Sequence, residues 1–127
     1  MPIAQNEATT LLDSLFRAAA YTAPPAVYVA LATSAPTATT PGTEVTGGSY
    51  ARQQMTCGSA ASAGSIANTA ALTYTAMPVA TVTHVDLYTT SSGTTRRLWY
   101  GQLAAPKTTA SGDTLSFAIG AITAAIN

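Results

Sequence analysis

At 127 residues and 12.8 kDa the chain is the size of one domain, with room for one modest core and not two. It is 47% hydrophobic but only 8% charged, and five basic residues balance five acidic ones to a formal net charge of zero, against about a quarter charged in an average soluble domain. These totals exclude a nucleic-acid surface, which needs clustered Lys and Arg to displace counterions, and they favour a chain that sits against other protein.

The first element is a helix. In "NEATTLLDSLFRAAA" the residues Leu12, Leu15, Phe16 and Ala19 recur at helical spacing on one face, with Leu11 widening the stripe. Glu7 near the start and Arg17 near the end suit the helix dipole. Asn6 stands either as the N-cap or one turn inside. Pro24 and Pro25 forbid continuation, so the pattern predicts about three turns and then a linker, together residues 1–22. No apolar run approaches the roughly 18 to 20 residues of a membrane span. The N-terminus has neither the basic start nor the apolar core of a signal peptide, so synthesis and retention in a cytoplasm are expected.

From Pro25 onward the pattern is strand and turn, a β-domain over 26–127 within a single domain of 1–127. "AVYVALA" alternates Val27, Val29 and Leu31 on one face and reads as a core strand. A low-complexity loop follows at about 33–49, with turn signals at Pro41-Gly42 and Gly47-Gly48. Its length is unusual for a compact domain and marks a functional or partner-ordered segment. Further strands are expected in "YARQQMTC", "NTAALTYTA", "VTHVDLYTT", "RRLWYGQL", "DTLSFAIG" and "AITAAI". Val85 and Leu87 face inward, His84 and Asp86 outward, and Leu115, Phe117 and Ile119 form another inward set, which together describe a sheet with one buried face. Short turns at Ser92-Gly93 and Gly112-Asp113 indicate antiparallel neighbours. The fold class expected is all-β, an antiparallel β-sandwich or jelly-roll-like domain with one N-terminal α-helix.

Candidate chemistry is sparse. His84 is the single histidine, and Asp86, two residues along a strand and roughly 7 Å away, does not readily reach its ring. The single cysteine, Cys57, excludes an internal disulfide and a multi-cysteine metal site, and reads as a small buried hydrophobe. The glycines of "TGGSYA" lack the lysine and spacing of a phosphate loop and mark a turn or bulge. Trp99 and Tyr100 suggest a sugar-stacking platform, set against Trp99 as a core or interface anchor. Arg52 and Glu44 either close the loop on itself or leave Arg52 to a neighbouring subunit.

The segments "LLDSLFRAAAYTAP", "VYVALATSAPT", "EVTGGSYARQ", "NTAALTYTAM" and "AAPKTTASGDTLSFAIGAITAAI" resemble a family of small virion proteins of tailed bacteriophages, tail-fibre-like or capsid decoration proteins. The resemblance covers nearly the whole chain. It implies a β-sandwich subunit present in many copies, with no enzyme activity, cofactor or metal. With no coiled-coil heptad or repeat in view, the expectation is a cement protein on the outer surface of the capsid, with the tail as alternative and a carbohydrate-binding module as the reading of another class. Its partners would be the major capsid protein and copies of itself, as homodimer or homotrimer, with no nucleic acid, membrane or small-molecule substrate. The interface is expected to draw on Leu12, Leu15, Phe16, Thr37, Thr39, Pro41, Glu44, Tyr50, Arg52 and Trp99, with the helix stripe packing partly on its own sheet.

Overall fold

A computed structural model describes residues 1–60 and 64–126. Helix α1 (Gln5–Arg17) precedes the strands β1 (Tyr28–Ala32), β2 (Gln53–Gln54), β3 (Ser65–Ala67), β4 (Leu72–Met77), β5 (Ala80–Tyr88), β6 (Arg97–Thr109), β7 (Asp113–Phe117) and β8 (Thr123–Ala125). They form a four-stranded sheet in the order β2-β1-β5-β6 and two ribbons, β3-β8 and β4-β7, all antiparallel. The class is the expected all-β domain with an N-terminal helix. Strand β3 was not foreseen, because "GSIA" carries no alternation long enough to separate it from the loop around it.

The helix ends earlier than the prolines require. Ala18 adopts a left-handed conformation (φ 55°) and the Ala19 N–H reaches back to the Asp13 carbonyl, a C-terminal closure that satisfies one of the otherwise open carbonyls. At the other end Ala4 is the cap, and Asn6 lies inside the first turn.

The core lies on one face of the sheet. Val29 pairs with Leu87 and Leu31 with Val85, so the period of two brings four buried apolar side chains together. The β4-β7 ribbon covers them. The Tyr74 hydroxyl donates to the Val29 carbonyl at 2.7 Å, and the ring meets Phe117 edge-on with centroids 6.1 Å apart. Leu72, Met77 and Leu115 complete the contact. Ile119 departs from the expected inward set. β7 stops at Phe117, and a turn closed by Ala121 N–H to Ala118 carbonyl leaves Ile119 exposed.

The second face of the sheet is buried as well, against expectation. Ala30, Ala32, Asp86 and Tyr88 are all buried, because residues 33–49 fold back over them as a flap. Glu44 bridges Ala32, the Val45 N–H donates to the Leu31 carbonyl at 2.9 Å, and the Gly42 N–H donates to Asp86 Oδ2 at 3.0 Å. The outward placement read for Asp86 is therefore corrected. His84 lies at the margin of the flap and is half-buried.

Three register shifts break the alternation, one of them between Val82 and His84 on β5. Leu87 faces Trp99 while Tyr88 faces Arg97, so Leu98 is the extra residue. This returns Arg97 to the flap side and leaves Leu98 and Trp99 on the core side. On β4 the register slips between Tyr74 and Met77, and Ala76 takes φ 48°, an uncommon position for a residue with a side chain. Its carbonyl accepts the Ser49 N–H, and Gly48 (φ 57°) comes so close that an added Cβ would lie 2.6 Å from that oxygen. The turn read into the glycine pair is thus present. Gly48→Ala is expected to lower stability by about 1 to 3 kcal/mol through combined strain and clash, measured by urea unfolding; parental stability would contradict this close approach.

Candidate functional site

Ten side chains carry formal charge, and each is engaged within the chain. Eight form four ion pairs: Arg17–Asp13 on the helix surface, Arg52–Glu44, Arg96–Glu7 and Arg97–Asp86. Lys107 lies over the Phe117 ring at 5.7 Å, and Asp113 Oδ2 accepts the Ala110 N–H at 2.8 Å in the β6–β7 turn. The surface that remains is uncharged, rich in Thr, Ser, Ala and Gly, with Leu12, Leu15, Phe16, Val79, Ile119 and Ile126 also exposed.

Of the residues expected at an interface, Glu44, Tyr50 and Arg52 form an internal cluster. Arg52 holds both Glu44 oxygens, Nε to Oε2 at 2.9 Å and Nη2 to Oε1 at 2.7 Å. Its remaining donors reach the Thr90 and Gly93 carbonyls of the β5–β6 turn, and its plane lies 4.0 Å over the Tyr88 ring. Tyr50 donates to Glu44 at 2.7 Å and accepts the Leu31 N–H at 3.0 Å. Burial, then the neighbouring Glu44 carboxylate, pushes the Tyr50 hydroxyl far up. Of the two readings of Arg52, the structure takes the one in which the loop closes on itself. Thr37 is exposed and gives its carbonyl to Arg97. Thr39 and Pro41 are exposed beside a polar cleft of about 690 Å³ that also takes in Gln5, Asn6 and Thr9.

The helix carries the apolar counterpart. Its inward side is Glu7, Ala8 and Leu11. Glu7 is buried and takes Arg96 on both oxygens, at 3.0 and 2.8 Å, together with the Tyr21 hydroxyl. Leu12, Leu15 and Phe16 point away and are 56%, 75% and 80% exposed. They do not pack on the sheet as expected, because Glu7, held by Arg96, faces inward with Ala8 and Leu11 and leaves the stripe outward. Between α1 and β8 lies a hollow of about 450 Å³ bordered by Ile3, Leu11, Leu12, Leu15, Trp99 and Ile126. Trp99 also borders a second hollow, about 600 Å³, with Met55, Ile66 and Leu98. Its Nε1 is buried and has no partner among the described residues.

A family model described as "Podophage GP4 fiber I protein gp80" matches residues 2–125. The chain belongs to that family. No curated protein matches it. Membership in the fibre I family makes this a tailed-phage virion protein, the class that the resemblance implied.

This fibre I family member brings no catalytic group together at His84. Nδ1 lies 2.7 Å from Thr83 Oγ1, while both Asp86 oxygens are engaged by Arg97 and Gly42. Among the described residues no three of His, Cys, Asp and Glu gather as metal ligands. Cys57 is exposed, not buried: β2 ends at Gln54, and Cys57 makes only an isolated bridge with Asn68. Trp99 packs against the core and is half-buried. Missed from the sequence were the Asp86–Arg97 and Glu7–Arg96 pairs and the place of Ile126; the sole signal was an Arg-Arg pair leading an apolar strand.

The carboxyls make the fold pH-dependent. Burial raises both Glu7 and Glu44, but hydrogen bonds from Arg96 and Tyr21 on Glu7, and from Arg52 and Tyr50 on Glu44, outweigh it and leave both below their ordinary value. A depressed carboxyl stabilises the fold above its unfolded pKa of about 4.3, and that contribution disappears as pH falls through the lower folded value. Melting temperature is therefore expected to fall from pH 5 downward in the parent and to fall less steeply in Glu7→Gln, which starts lower at pH 7. Equal slopes in the two would contradict the clamp.

Proposed function

We propose that the chain is a non-enzymatic structural subunit of the tail fibre, joined to the particle through uncharged contacts. The observation that carries this reading is the engagement of all ten charged side chains within the chain. Catalysis by proton transfer needs groups free to change charge against a substrate, whereas a packing surface needs shape and depleted charge at its centre. The family's description as a fibre protein supports the tail. A second reading, a cement protein on the outer capsid surface bound to the major capsid protein, draws its support from a sequence without heptads or repeats.

Gold-labelled antibody on intact particles tests the location, with label expected on the tail; label on the head alone would replace the fibre reading with the cement reading. Particles carrying His84→Ala or Cys57→Ser are expected to assemble and infect as the parent does. A hydrolytic activity in the purified chain that His84→Ala abolishes with the fold intact would overturn the non-enzymatic reading.

A further inference from the structure

We infer that the polar cleft between α1, the flap and the β5–β6 turn binds a neutral sugar unit. Three segments far apart in sequence meet there: Gln5 and Asn6 in the first turn of α1, Ala38 to Pro41 at the flap tip, and Thr94 and Thr95 in the turn. Contacts outside the opening hold these walls. The Gln5 N–H donates to the Ala38 carbonyl at 2.9 Å, and Arg52 fixes the turn through the Thr90 and Gly93 carbonyls. The volume, about 690 Å³, lies within the roughly 300 to 1,000 Å³ of small-molecule sites.

The buried side of the cleft carries the observation that points to a ligand. Tyr88 is 2% exposed and borders the cleft, yet its hydroxyl meets no partner among the described residues and is not sealed off from solvent. Burial, then the Asp86 charge, pushes that hydroxyl up, so it keeps its proton and donates. Arg97, 5% exposed, pairs with Tyr88 across β5 and β6 and borders the same cleft. It gives Nη1 to Asp86 and Nη2 to the Thr37 carbonyl, and its Nε–H has no acceptor among the described residues. Two buried side chains therefore hold donors that the chain itself does not use, a costly state until an outside oxygen accepts them.

The charge balance selects the kind of oxygen. Arg97 is neutralised by Asp86, and Arg96 by Glu7 in the first turn of α1, so no spare cation is left for a phosphate or a carboxylate. The rim is made of hydroxyls and carboxamides, Thr39, Thr94 and Thr95 with Gln5 and Asn6, all exposed and all able both to donate and to accept. Sugar hydroxyls have the same double capacity, and Ala38 and Pro41 offer an apolar patch to the C–H face of a ring. A peptide would need a free strand edge or an apolar pocket for its anchors. The strand residues here, Tyr88 and Arg97, already pair with each other, and the lining is mostly polar.

Sugar binding at this cleft is independent of where the protein sits in the particle, and the purified full chain suffices to test it. Saturation-transfer NMR with glucose, galactose, mannose, rhamnose and N-acetylglucosamine, and with inorganic phosphate and acetate as anions, is expected to show contact with at least one sugar and with neither anion. Tyr88→Phe keeps the ring under Arg52 and removes only the hydroxyl. Its melting should match the parent, while affinity for that sugar falls about 3- to 10-fold, the loss of one hydrogen bond. Asn6→Ala and Thr95→Val alter exposed rim positions and should weaken binding by a similar factor. A chain that takes up none of these sugars overturns the inference, as does one that prefers phosphate or acetate. So does a sugar bound equally by the parent, Tyr88→Phe and Asn6→Ala, or a Tyr88→Phe chain that melts well below the parent, since the hydroxyl would then serve the fold.

Discussion

The buried ion pair between Asp86 and Arg97 is the contact on which the two-sided sheet depends. Both side chains are nearly excluded from water, where an unpaired charge is not tolerated. Each is also bonded to the flap: Gly42 donates to Asp86, and Arg97 donates to the Thr37 carbonyl. Residues 33–49 thus hold their place through the chemistry they bring to a pair on β5 and β6, and not through apolar packing alone. Without them the face bearing Ala30, Ala32 and Tyr88 would lie open.

The same economy governs the other charges. Arg52 joins the flap to the β5–β6 turn, and Arg96 joins α1 and the linker carbonyl of Thr22 to the start of β6. These are bidentate clamps on carboxylates, a task for a planar guanidinium that a lysine ammonium cannot reproduce. A chain so poor in charge uses it to tie distant segments together. The outer surface is left neutral as a direct result.

Much of this fold was legible in the sequence, and the illegible parts have a common cause. Val29, Leu31, Val85, Leu87, Leu115 and Phe117 were readable from alternation, because a one-sided apolar face imprints a period of two. The stripe Leu12-Leu15-Phe16 was equally readable as a stripe. What it faced was not, since contacts distant in sequence hold the helix, Glu7 to Arg96 across 89 residues and the Gln5 N–H to the Ala38 carbonyl among them. Asp86 was misread because polar alternation looks the same whether water or a flap covers the second face. Arg97 was obscured by the bulge at Leu98, which changes the side to which every following residue points. Cys57 was misread with the length of its strand.

The span of that Glu7–Arg96 contact also dictates the order of events during synthesis. Helix α1 leaves the ribosome before the strands, and the guanidinium that clamps Glu7 is 89 residues further along. At about 5 to 20 residues per second the helix waits roughly 4 to 18 seconds for its anchor. Throughout that interval its apolar stripe is available to chaperones and to other nascent chains. The Glu7–Arg96 clamp on α1 can therefore close only once the start of β6 has been made.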